Sequence, residues 1–126
     1  MKNALDLVAE AKGRISEVSV DEAEQAIRDA DVLIDLREAD EFAAGYIAGA
    51  VHIPRGLLEF KLSGTPELGA RDLKFVVYCK SSGRAALAAD VMQQMGYLNV
   101  KSIAGGFDAW QAADKPFQKP SLPSFG

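Results

Sequence analysis

At 126 residues the chain holds one domain's worth of sequence, enough to bury a core. Its 48% apolar and 25% charged content is that of an ordinary globular protein, and a net charge of -4 argues against a nucleic-acid partner, which wants a basic face. The single cysteine excludes an internal disulfide framework, and no stretch reaches the roughly 20 apolar residues of a membrane helix.

Taken in chain order, the first segment, NALDLVAEAK, spaces Leu5, Val8 and Ala11 for a helix. The same region carries Asp6, Glu10, Lys12 and Arg14, where a secretory leader needs an unbroken apolar stretch. A cytoplasmic, reducing compartment is therefore expected. SVDEAEQAIRDA opens with Ser19 and has Glu22 three residues on, a capping-box pattern ahead of Ala23, Ala26 and Ile27. DVLIDL (31–36) is a short β-branched run that predicts a strand buried on both faces. EADEFAAG predicts a short helix stopped by Gly45, AVHIP a brief strand stopped by Pro54, and RGLLEFKL a turn or two of helix. SGTPELGARD reads as loop. LKFVVYC predicts the clearest strand, and SGRAALAADVMQQMG the clearest helix, with Leu87, Ala88, Val91, Met92 and Met95 on one face. NVKSIAGG and GGFDAWQAAD complete the series as strand and helix. The tail KPFQKPSLPSFG (115–126) holds three of the five prolines and predicts an irregular end. Strands and helices thus alternate throughout, which predicts a single α/β domain with a mostly parallel central sheet and helices on both faces.

In such sheets, sites form at the carboxyl ends of strands. Cys79, the only cysteine, ends the clearest strand and precedes the clearest helix. The residues between, Lys80, Ser81, Ser82, Gly83 and Arg84, are small, flexible or basic. A tight strand-to-helix loop can aim several N–H groups at one point, and the helix adds its positive end. Together with the charges of Lys80 and Arg84, this favours a nucleophilic thiolate and draws an anionic substrate. The bland alternative is a small core residue, the commonest fate of a lone cysteine.

Four segments in order carry a family resemblance: VLIDLREADEF, GYIAGAVHIP, VVYCKSSGRA and GGFDAW, together spanning about residues 19–110. The chain resembles a single-domain rhodanese, with its three-layer fold. The resemblance implies sulfur transfer. Cys79 attacks the outer sulfur of an anionic donor such as thiosulfate, becomes a persulfide cradled by the N–H groups of Lys80, Ser81, Ser82, Gly83 and Arg84, and yields that sulfur to cyanide or a thiol acceptor. No metal or organic cofactor is implied. One departure is Tyr46, where the family often has histidine; it leaves His52 as the only histidine, read as a strand side chain and not as a general base.

Two rivals stand beside this reading. A cysteine phosphatase or arsenate reductase presents a Cys-x5-Arg loop, one residue longer than the span from Cys79 to Arg84, because a tetrahedral oxyanion needs a wider cradle than a terminal sulfur. A regulatory or sulfur-relay module would use the same domain to serve a protein partner. Asp35 and Arg37 read either as site-shaping groups or as an internal ion pair. Glu38, Asp40 and Glu41 read as charges favouring a helix start, and Phe107 and Trp110 as packing.

Overall fold

A computed structural model describes residues 1–120 of the chain. Five parallel strands form one sheet in the order β1-β5-β4-β2-β3, where β1 is Ser16–Val18, β2 Val32–Asp35, β3 Val51–His52, β4 Lys74–Tyr78 and β5 Asn99–Ile103. The helices are α1 (Ala4–Lys12), α2 (Val20–Asp29), α3 (Ala39–Ala44), α4 (Leu58–Gly64), α5 (Gly83–Gln94) and α6 (Gly106–Ala112). This is the α/β fold that the alternation of elements predicts.

The strand pleat sorts the core into two layers. Side chains alternate faces along a strand, so Phe75, Val77 and Cys79 pack with Ile34 and Leu36 against α4 and α5. Val76 and Tyr78 point the other way and pack with Leu33 and Ile103 against α2 and α6. β4 lies between β2 and β5, and four of its five residues are buried. Each large apolar side chain buried here contributes about 1.5–3 kcal/mol.

Several local features differ from the sequence pattern. β1 has no counterpart in the sequence pattern: it has three residues, SEV, and pairs only along β5. Its formation rests on the neighbouring strand, because two of its three residues are exposed. The expected capping box at Ser19 is half made: its hydroxyl oxygen accepts from the Glu22 N–H, while Glu22 turns to that hydroxyl itself. α4 runs two residues into the expected loop, and a 3-10 turn occupies Pro66–Leu68. On α5 the fully buried positions are Ala85, Ala86, Ala88, Ala89 and Met92, whereas Leu87, Val91 and, at the cap just past its end, Met95 are half-buried. α5 is packed by α1 as well as by β4 and β5, so alanines permit the close approach.

The tail over residues 115–120 has no helix or strand of its own, yet it is tied down. Gln118 exchanges two backbone hydrogen bonds with Tyr46, the one antiparallel bridge among the described residues. The Trp110 indole donates to the Pro116 carbonyl at 2.7 Å, Lys115 pairs with Glu24, and Phe117 meets Phe107 edge to face. The remaining tail positions, 121–126, lie outside the described residues.

Candidate active site

Cys79 follows the last residue of β4 and continues its alternation, which puts the thiol on the α5 side of the sheet. It is 1% exposed. The Ala85 N–H, in the first turn of α5, donates to Sγ at 3.3 Å. On the other side, the N–H groups of Phe107 and Asp108 at the start of α6 donate to the carbonyls of Cys79 (2.8 Å) and Lys80 (2.9 Å). A trans peptide points its C=O and N–H in opposite directions. Anchoring these two carbonyls on α6 therefore turns the Lys80 and Ser81 N–H groups away from α6. Among the described residues, the N–H groups of Lys80, Ser81, Ser82, Gly83 and Arg84 have no acceptor. The loop thus presents a row of free donors next to a thiol, the arrangement that binds an anion.

That anchoring depends on a missing methyl. Gly106 has φ +56°, and a Cβ placed on it would stand 2.3 Å from the Ser81 carbonyl oxygen and 2.4 Å from that of Cys79. Only glycine lets the start of α6 approach the loop this closely.

The charges around the loop are arranged differently from what proximity in sequence suggests. Arg84 forms a two-pronged pair with Glu41, Nη1 to Oε1 at 2.8 Å and Nη2 to Oε2 at 3.0 Å. Glu41 Oε1 also accepts from the Glu38 N–H at 2.9 Å, so one carboxylate fixes both Arg84 and the start of α3. The Arg84 hydrogen bond pulls the Glu41 carboxyl down to about 2, against the desolvation that opposes it. In return Glu41 raises the Arg84 guanidinium above its ordinary value. Lys80 reaches outward to Asp108 at 3.0 Å, with both side chains more than half exposed. Ser82 Oγ accepts from Lys12 Nζ at 2.7 Å, a contact from α1 seventy residues away in sequence.

Further contacts fix the neighbouring strand ends. Asp35 and Arg37 are an internal ion pair, 0% and 4% exposed, joined at 2.7 Å and supported by the Gly45 carbonyl and by Phe107, whose ring lies 4.2 Å beneath the guanidinium. Burial disfavours the Arg37 charge, but Asp35 outweighs it and the pKa is raised. Neither side chain is within hydrogen-bonding reach of the thiol loop. His52 Nε2 donates to the Arg37 carbonyl at 2.7 Å and its ring stacks on Phe42, which in turn stacks on Tyr46. Phe107 and Trp110 are buried packing.

The five loop residues named from the sequence therefore stand together at the end of β4, with Lys80 and Arg84 engaged by carboxylates. Glu41, Asp108, Lys12 and Gly106 were not assigned to the site from sequence. The doubled glycine of GGFDAW was the signal for Gly106, since glycine pairs mark close backbone approach. The partners of Arg84 and Ser82 are 43 and 70 residues away, and no spacing rule reaches that far. Among the described residues, no group of three His, Cys, Asp or Glu is placed to hold a metal ion, and no helix is long and apolar enough to cross a membrane.

With this geometry in place, comparison identifies the class. Residues 19–113 match the rhodanese-like domain, and the chain belongs to that family. A sulfurtransferase of Allochromatium vinosum is 30% identical over 84% of this chain and 97% of its own. The thiosulfate sulfurtransferase GlpE of Haemophilus influenzae is 30% identical over 79% of this chain and 91% of its own. Among solved structures, a Rhodopseudomonas palustris protein of unknown function, described as a "Possible Tyrosine Phosphatase", superposes with a TM-score of 0.83 at 31% identity, covering 94% of this chain and 96% of that one.

Proposed function

We propose that the protein is a thiosulfate-type sulfurtransferase acting through a persulfide on Cys79. The observation that carries the reading is the loop itself: a thiol at the end of the central strand, faced by the Ala85 N–H, with the N–H groups of residues 80–84 left without acceptors. The Cys79 thiolate attacks the outer sulfur of thiosulfate. A sulfur–sulfur bond forms to the protein, the donor's own sulfur–sulfur bond breaks, and sulfite departs with the electron pair. The new terminal sulfur carries the negative charge, and the free N–H donors stabilise it without rearranging. Cyanide or a thiol then takes that sulfur and returns the thiolate, completing a two-step covalent cycle. Cys79 is 1% exposed, so a narrow terminal sulfur suits the site better than a bulky oxyanion.

The phosphatase rival is disfavoured by the charge arrangement. In such a mechanism the loop arginine offers its charge to the phosphate, and here that charge is already paired with Glu41. A relay between proteins shares the first half of the cycle and differs only in the acceptor.

The test is to incubate the protein with thiosulfate, remove the excess, and record intact mass before and after cyanide. The expected result is a gain of one sulfur atom, lost to cyanide with release of thiocyanate. An unmodified mass with an accessible thiol, or turnover of a phosphate ester, overturns the reading.

A further inference from the structure

Three cations approach the loop, and they are not equivalent. Lys80 is paired with Asp108 and Arg84 with Glu41. Lys12 donates to the Ser82 hydroxyl at 2.7 Å and has no carboxylate within ion-pair distance among the described residues. The acidic residues of its own helix are engaged elsewhere: Asp6 caps the start of α1 with Asn3, and Glu10 pairs with Lys2. The position of Lys12 is set by the helix that carries it. Ala11 beside it is fully buried, and a Val8 methyl lies 3.6 Å from where a Cβ on Gly83 would sit. α1 therefore holds an uncompensated ammonium against the first turn of α5, beside the free N–H donors. The helix lies outside the residues that match the family.

Building on the sulfur-transfer reading, we propose that Lys12 is a specificity-determining residue that selects doubly charged sulfur donors over singly charged ones. With Lys80 and Arg84 neutralised, Lys12 is the cation left to meet the oxygen-bearing end of the donor while its outer sulfur reaches Cys79. Coulomb attraction scales with donor charge and is screened by salt over about 8 Å at physiological ionic strength. A single unpaired charge in a wet cleft is worth roughly threefold in binding for a monoanion, and so about tenfold for a dianion.

The test compares the wild-type protein with Lys12→Met and Lys12→Arg in single-turnover sulfur loading, read by intact mass. The donors are thiosulfate, a dianion, and methanethiosulfonate, a monoanion that loses methanesulfinate in the same step. For Lys12→Met the half-saturating thiosulfate concentration is expected to rise by roughly tenfold and that for methanethiosulfonate by roughly threefold, with the rate at saturation kept. Added salt should shrink both differences, and Lys12→Arg should restore the wild-type preference. Equal losses for both donors, or no loss for either, overturn the inference while leaving sulfur transfer standing. If the wild-type protein loads sulfur from neither donor, the sulfur-transfer reading fails and this inference falls with it.

Discussion

Replacing Gly106 with alanine isolates the contact on which the loop is built. The added methyl would meet the Ser81 carbonyl oxygen at 2.3 Å and the Cys79 carbonyl oxygen at 2.4 Å, with the Lys80 carbonyl carbon at 2.9 Å. All three are backbone atoms, so no side chain can swing aside. Reaching even the 3.0 Å limit of real Cβ contacts requires the loop and α6 to separate by about 0.7 Å. Such a shift stretches the Phe107 and Asp108 hydrogen bonds that orient the loop peptides. Holding alanine at φ +56° adds about 1–2 kcal/mol of its own. A misplacement approaching 1 Å at a reacting group costs about 100-fold in rate. The expected result is a loss of about two orders of magnitude in sulfur loading, with a fall in stability of about 1–3 kcal/mol. Gly49→Ala is the control: it carries a comparable positive φ of 87° but meets nothing within 4 Å, so it should lose stability and keep its loading rate. The assay is stopped-time intact mass after thiosulfate, alongside thermal unfolding. A folded Gly106→Ala protein that loads sulfur at the wild-type rate refutes the argument that this close approach orients the loop.

The remaining expectations use the same assays. Cys79→Ser should abolish sulfur loading while leaving Tm within a few degrees, because serine fits the site and still accepts from the Ala85 N–H; surviving transfer would place the chemistry elsewhere. Glu41 has a pKa depressed to about 2, so its contribution is present above the unfolded carboxyl value and is lost as pH falls through the interval from about 4.5 to 2. The Glu41→Gln protein should therefore lose about 1 kcal/mol at neutral pH, after solvent screening of this partly exposed pair, and show a flatter Tm profile between those pH values. An unchanged slope would mean that Glu41 is not held by Arg84. Asp35→Asn leaves the Arg37 guanidinium, 4% exposed, without its counter-charge, and should cost about 3–5 kcal/mol by denaturant unfolding; a loss under 1 kcal/mol would show that the Gly45 carbonyl and Phe107 suffice.

Sequence and structure divide the explanation of this protein along a physical line. The α/β alternation, the clearest strand and helix and the thiol at their junction were legible because they depend on local pattern: apolar runs, helical spacing and a small polar loop. The short strand β1 was not, because SEV has no strand signal of its own and forms only against β5. The α5 face departs from the helical pattern for a related reason: hydropathy favours Leu87 and Val91 as core positions, while packing against α1 and the sheet buries the alanines more fully. At the site, local sequence placed Cys79, Lys80 and Arg84 together and suggested two free cations. Only the tertiary structure supplied Asp108 and Glu41 to neutralise them, Lys12 to replace them, and α6 to hold the loop by its carbonyls. Electrostatics and close backbone contact act through space, here across separations from that of Ser81 and Gly106 up to the 70 residues between Lys12 and Ser82. The sequence by itself determined that a lone thiol ends the clearest strand, ahead of a small basic loop; the fold decided which charges and which N–H groups surround it.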